Sequence, residues 1–369
     1  MPNYLERIER VRGRMAERGL DAILVTHPTN RRYLTGFPDD DLPPDETAGH
    51  VIISRDRAIL VVSSRDKNQA LAHVQDLEVQ APEVVAWHAK DTEFLSTIKP
   101  RRLGYESNAL LVGIYHGIDK ALREAEVPVE WVEIDGLVEE LRVVKAADEL
   151  LLLRRAFAIT CEAFNTVAPT IRAGETEIQV ARRLDDQMIA LGAEAPAFTT
   201  IVAAGPNAAI PHHVPGGTVI EAGVPIIIDM GARYEGYCAD LTRTVWLGEP
   251  DEKLREVYPI VTSAVEQVFE RLHPGMAGKE ADRLARAFIE RHGYGDAFVH
   301  SLGHGVGLRV HEAPRASKAS DDKLDPGHIV TIEPGIYLPG WGGVRVEDVV
   351  LVTENGFEIL TESAEKRVL

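Results

Sequence analysis

Asp229 and Asp240 stand on a stretch, Val224–Leu247 (VPIIIDMGARYEGYCADLTRTVWL), that reads as a β-hairpin. An apolar run from Val224 to Ile228 ends on Asp229, a polar turn follows at Arg233–Gly236, and the return arm alternates Asp240, Thr242, Thr244. With Ala232 and Tyr237 flanking the turn, antiparallel register sets Asp229 directly opposite Asp240 on one face. Like charges so placed repel, and a fold that keeps them there points to a cation between them. Further ligand types follow. Ser301–Gly307 (SLGHGVG) carries His304 between glycines, with His311 seven residues on. Ile329–Val352 (IVTIEPGIYLPGWGGVRVEDVVLV) reads as a second hairpin, turning at Pro339–Gly343, with Glu333 and Glu347 on its two arms. Two Asp, two Glu and one His spread over hairpins form an oxygen-rich set. It suits two hard or borderline divalent ions better than one zinc, because carboxylates bridge; Mn²⁺ is the preferred ion, with Co²⁺ or Zn²⁺ as alternatives.

The motifs IPHH, DMG…D, GHGVGL…HE, EPGIY and GGVRVED fall in order between Pro206 and Asp348. Together they resemble those of the creatinase/aminopeptidase P/prolidase family of pita-bread proteins, and the N-terminal part resembles that family's smaller domain. The resemblance implies an α+β fold: a C-terminal, pseudo-symmetric pita-bread domain preceded by a smaller α/β creatinase-type domain. It also implies that Asp229 ligates one metal, that His304 and Glu333 ligate the other, and that Asp240 and Glu347 bridge. A metal pair about 3.5–4 Å apart holds and acidifies a water and polarises a carbonyl. Glu333, touching that water, is then the general base. His212, the residue after Pro211, becomes the donor to the tetrahedral oxyanion, since only one of the adjacent His212 and His213 can face the metals. By the same resemblance His311 binds the substrate carbonyl, and Arg315 reads the free carboxylate of a dipeptide. Arg345, two residues before Glu347 on one strand, shares its face and orients a ligand carboxylate. Tyr337, Trp341 and Phe198 are candidates to wall a proline-ring pocket.

The implied activity is cleavage of the amide before proline, a bond that lacks an N–H and is conformationally restricted. The substrate is a proline-containing dipeptide (prolidase) or a longer peptide (aminopeptidase P-like), and the motifs leave both open. A homodimer is the expected assembly. Two alternatives share the fold: an amidinohydrolase-type hydrolase and a non-catalytic protein-binding module. Both are associated with loss of the metal ligands, and all five stand here. A methionine aminopeptidase would lack the N-terminal domain.

The rest of the chain must position these residues. At 369 residues and 45% apolar it is long enough for two domains, read as 1–138 and 139–369 with the junction near Gly136–Val144. A net charge of −18 argues against a nucleic-acid partner. Cys161 and Cys238 make neither a disulfide framework nor a zinc pattern, and Cys238, near the first turn, reads as packing. Residues 3–18 carry charges throughout and no apolar segment suits a signal or a membrane span, so a cytoplasmic protein without a membrane partner is expected. In the first domain Leu5, Ile8, Val11 and Met15 have helical spacing, DAILVT is a short strand, and NRRYLTGF leads into a second strand. Pro38–Thr47 is an acidic, mobile loop, and His50–Val62 a hairpin. Helical segments at Lys67–Val74, Asp91–Ile98 and Tyr115–Glu124 then alternate with strands at Leu77–Val79, Arg102–Tyr105 and Val129–Ile134. His27, His50, His73 and His88 have no partner pattern there and read as surface or packing residues, and His300 is open. In the second domain, residues 171–192 have an echo at 272–293: a Gly, an amphipathic helix and a closing Gly, each followed by an acid-bearing hairpin.

Overall fold

The computed structural model describes residues 3–38, 47–74, 78–80 and 87–365. It divides into two compact units, Met1–Arg142 and Val143–Leu369. Among the described residues no helix is long and apolar enough to cross a membrane.

The first unit is built on a six-stranded mixed sheet in the spatial order Glu78–Gln80, Ala58–Val62, Gly49–Ser54, Ala22–Val25, Arg102–Tyr105, Glu130–Glu133. The central strands are continuous apolar runs because both faces are covered. Ile8, Val11 and Met15 of helix Tyr4–Glu17 are buried, whereas Leu5 in its first turn is 48% exposed. The segment read as the approach to a second strand is a helix, Pro28–Thr35. Pro28 occupies its first turn, where a missing N–H costs nothing, and Gly36 closes it in the left-handed conformation (φ 74°). Two of the histidines also have specific partners. The His27 ring caps this helix, accepting from Thr29 N (3.2 Å), and buried His50 pairs with Asp91 at 2.6 Å. Most of the acidic loop expected at Pro38–Thr47, and the side chain of His88, lie outside the described residues.

The second unit repeats one arrangement twice. Helices Ala147–Val167 and Glu177–Ala190 cover the sheet Ile201–Ala204, Ile226–Met230, Leu241–Val245. Ile226, Ile228 and Met230 point to those helices and share a core with Phe164 and Leu184. Helices Glu252–Phe269 and Gly278–Arg291 do the same for the second half, where Val330, Ile332, Val350 and Val352 pack with Val257, Val261 and Ile289. The alternation of strand side chains then decides where the acids go. Asp229 has the parity of Ile227, and Glu333 and Glu347 have that of Thr331 and Val349. All are turned away from the helices. The halves are stitched together on that side: Glu347 N donates to Thr242 O (3.1 Å), and Thr244 Oγ1 to Arg345 O (2.8 Å).

Candidate metal centre and substrate cavity

The first acidic pair is set by a turn tighter than its sequence suggests. Tyr234 pairs with Tyr237, leaving a two-residue loop of Glu235 (φ 44°) and Gly236 (φ 84°). Positive φ at both positions is the geometry that matches strand twist in a short hairpin, and it is why a glycine stands there. The register therefore moves by two residues: Asp229 faces Thr242, not Asp240. Because a shift of two preserves the face, Asp240 remains Asp229's diagonal neighbour on one surface. In the second half Ile332 pairs with Asp348, and continuing that register by one residue sets Glu333 across from Glu347. Asp229, Asp240 and Glu347 each bring a carboxylate oxygen within 4.8 Å of the others. His304 Nε2 lies 3.2 Å from Glu333 Oε1 and 3.8 Å from Asp240 Oδ2. Its Nδ1 is 3.1 Å from the Gly305 carbonyl, which fixes Nδ1 as the donor and leaves Nε2 for the carboxylates or a cation.

The electrostatics of this nest are those of a site built for positive charge. Burial, then the neighbouring acids, push Asp240 and Glu347 well above the usual carboxylate range. Burial also raises Asp229, against the pull of Arg345. Burial opposes ionisation of Glu333 too, but the hydrogen bond and charge of His304 win and hold it at about 2. Asp229 Oδ1 and Glu347 Oε1 are buried without a hydrogen-bond partner among the described residues. Buried acceptors are rarely left so, and two of them inside an acidic nest are what a divalent cation would satisfy. The donor set fits the metals that carboxylates and imidazole select.

Above the nest opens a cavity of about 810 Å³ whose lining includes Asp229, Asp240, His304 and Glu333. His212, His311 and Arg315 are on its walls, all exposed. His311 stacks edge-on against His304 with ring centroids 4.3 Å apart, and burial together with His304 lowers it to about 4. Arg345 Nη2 donates to Asp229 Oδ2 (2.6 Å), its Nε to Thr242 Oγ1 (3.2 Å) and its Nη1 to Tyr337 Oη (2.8 Å).

Comparison with known proteins places this geometry. The model of metallopeptidase family M24 matches residues 152–354, and that of the creatinase/prolidase N-terminal domain matches 7–144. The chain belongs to metallopeptidase family M24. An Xaa-Pro dipeptidase of Pyrococcus furiosus is 37% identical, with 97% of this chain and 98% of the relative aligned. An uncharacterized peptidase of Bacillus subtilis is 38% identical over 98% of this chain and 99% of its own length. Among solved structures, an Xaa-Pro dipeptidase from Bacillus anthracis superposes with a TM-score of 0.91 at 38% identity, covering 99% of both chains. An X-Pro aminopeptidase from Thermotoga maritima gives 0.86 at 35% identity, covering 96% of this chain and 99% of that one. The protein is thus an M24 metallopeptidase of the Xaa-Pro peptidase family, with the α+β architecture its motifs implied.

Within this M24 site several residues differ from the reading of the sequence. Of the three aromatics offered as a proline-pocket wall, Phe198 alone lines the cavity. Tyr337 is buried beneath it, its hydroxyl between Arg345 and His300 Nε2 (2.8 Å), and Trp341 donates Nε1 to Asp251 (2.9 Å). Cys238 is buried, and its backbone N–H is held by Gly307 O (2.8 Å). Thr331, and the role of Thr242 beyond its place in the alternation, escaped notice: Thr331 Oγ1 donates to Glu333 Oε1 (3.1 Å), and Thr242 Oγ1 accepts from Arg345 Nε. Both share strand parity with the acids, and that signal would have found them.

Proposed function

We propose that this protein is a binuclear-metal Xaa-Pro dipeptidase that hydrolyses the bond before a C-terminal proline. The observation carrying the proposal is the convergence of Asp229, Asp240, His304 and Glu333 on one cavity whose wall holds the cationic Arg315, with buried Glu347 grouped with Asp229 and Asp240. The four acids and His304 would hold the ions, and Mn²⁺ is our choice. Divalent ions held there supply Lewis-acid polarisation of the scissile carbonyl and acidification of the attacking water.

The chain's own groups do the rest. Glu333, whose Oε1 accepts from Thr331 Oγ1, takes the attacking water's proton and returns it to the proline nitrogen. That delivery is needed because the departing nitrogen is a poor leaving group until protonated. His212 projects into the cavity and donates to the developing oxyanion. His311, neutral at pH 7, donates an N–H to the substrate carbonyl without adding charge beside His304. Arg345 fixes the rotamer of Asp229 through its 2.6 Å contact. Arg315 lies opposite His304 in the strand pairing and takes the dipeptide's free carboxylate in a bidentate contact.

The test is a comparison of Xaa-Pro dipeptide and Xaa-Pro-Yaa tripeptide hydrolysis after loading with Mn²⁺, Co²⁺ or Zn²⁺. Preferential dipeptide turnover, lost in Arg315→Ala mainly through KM, is expected. A tripeptide preference would reassign the enzyme to the aminopeptidase P type, which the similarity to the Thermotoga maritima X-Pro aminopeptidase keeps as the second reading. Inertness toward both with stoichiometric metal bound would end the peptidase assignment.

A further inference from the structure

Outside the acidic nest, the first residue of helix Glu177–Ala190 is a carboxylate with no exposed surface. Glu177 Oε1 accepts from Ala204 N (2.9 Å) and Asn207 Nδ2 (2.9 Å), and Oε2 from His213 Nε2 (2.8 Å) and Gly216 N (3.3 Å). Every partner lies in the segment 204–216, which carries His212 between Ile210 and Val214 at the cavity's edge. From Pro211 to Gly217 the segment has no regular secondary structure, so no sheet ladder holds it. Its other ties are turn bonds, His213 N to Ile210 O (3.1 Å) and Ile210 N to Asn207 O (2.9 Å), and isolated contacts: Ile178 N to Gly216 O (3.1 Å), Glu177 N to Thr218 O (3.0 Å), Asn207 Nδ2 to Thr218 Oγ1 (3.0 Å) and a 3.5 Å contact from Arg345 Nη1 to Pro211 O. A segment held by turns and single bonds ordinarily samples other positions. Here one buried anion gathers four donors from it.

We infer that Glu177 is a positioning residue that holds the His212 segment against the cavity, with His213 as its strap. Pro211 and His212 lie in a turn closed by His213 N on Ile210 O (3.1 Å), so the bond from the His213 ring to Glu177 anchors the end of the turn that presents His212 to the cavity. The chemistry requires a carboxylate at 177. Four converging donors need an acceptor-only group, and an amide would turn its own N–H groups toward one pair of them. Ala204 and Gly216 donate backbone N–H, so the His213 ring donates from Nε2 as well. The four bonds are charge-assisted, which is what allows a buried carboxylate at this position. A loosened segment would lose the donor to the oxyanion, an interaction made in the transition state, and would leave the metal nest intact. The consequence for turnover rests on the peptidase reading above. The strap itself does not.

The test is Glu177→Gln in the full-length, metal-loaded protein. Metal stoichiometry is expected to stay as in the parent, and amide exchange at Ala204 and Gly216 to speed by about tenfold or more as their acceptor is lost. Turnover of an Xaa-Pro dipeptide should fall about tenfold in kcat with KM changed less than about threefold, since a transition-state contact is affected. Placed on His212→Ala, the same change should cost nothing further, because both act through one side chain. Unchanged exchange, an unchanged kcat, or an undiminished loss on the His212→Ala background would each overturn the inference. His213→Phe removes a single donor and should give the same pattern more weakly, which keeps the question open to test should Glu177→Gln fold poorly. A parent enzyme inert toward Xaa-Pro peptides would sink the peptidase reading alone, and the exchange rates would still decide whether the strap exists.

Discussion

Asp240 is 5% exposed and close to Asp229, Glu333 and Glu347, so its ionised form is tolerable only beside positive charge. Asp240→Ala is expected to release at least one metal equivalent and to lower Xaa-Pro turnover by about a hundredfold or more, given that even outer partners of metal ligands cost 10–100-fold. Metal analysis with a dipeptide assay checks this, and full turnover in that variant would remove Asp240 from the site. His212 presents the opposite case. It lines the cavity and is exposed, with no part in the acidic nest. His212→Ala should therefore keep both metals and the fold while kcat drops about a hundredfold, the loss typical of one oxyanion donor. An unchanged kcat would make His212 a bystander.

Among the elements, close packing does as much as ligand chemistry to place the site. A Cβ on Gly305 would stand 2.0 Å from Ala313 O, so the strand Gly303–Gly305 approaches Glu312–Ala316 only because residue 305 has none. Gly305→Ala should push the two strands apart, destabilise the second unit by about 1–3 kcal/mol, and cost about a hundredfold in kcat through misplacement of His304. Thermal melts and steady-state kinetics on the one variant test both halves, and parent-like values would show that the strands have room. The period of two in strands is what made the acids legible from sequence. Asp229 and Asp240 could be assigned to one face even though their register was off by two residues, because such a shift does not change faces. Conformation at Glu235 and Gly236 was not legible, since nothing in the run Arg233–Gly236 says how many of its residues leave the ladder. Helix Pro28–Thr35 was missed because NRRYLTGF has too few apolar residues to display a period, and its caps, His27 and Gly36, lie at its edges. Tyr337 and Glu177 were opaque for another reason: His300 and His213, 37 and 36 residues away, are brought to them only by folding.

Over the whole chain, stability is tied to charge differently in the two units. In the second, the facing carboxylates repel when ionised, so divalent ions that bind the folded nest alone should stabilise it by mass action. Chelation at pH 7.5 is therefore expected to lower the melting temperature of that unit by several degrees, and Mn²⁺ to restore it; a melting temperature indifferent to both would argue that the nest binds no ion. In the first, among the described residues, the buried acid Glu106 contributes a response to pH of its own. Glu106 accepts from Thr26 N, His27 N and Asn30 Nδ2, each at 2.6 Å, while Glu139 shares the same Asn30 amide at 2.8 Å. Burial outweighs those donors and, with Glu139, raises Glu106 from 4.5 to about 7. A carboxyl with a folded-state value above its unfolded one binds more protons when folded, so stability falls as pH rises between the two values and levels off beyond them. The first unit should thus lose about 3 kcal/mol between pH 4.5 and 7 from this group. Because two units need not unfold together, the probe must be local: the urea midpoint of exchange protection in strand Ala22–Val25, followed across that range. In Glu106→Gln the midpoint should be lower at acid pH, since an amide faces Asn30 poorly, but this group's part of the slope should vanish. A slope that survives the substitution unchanged would assign the pH response to another group.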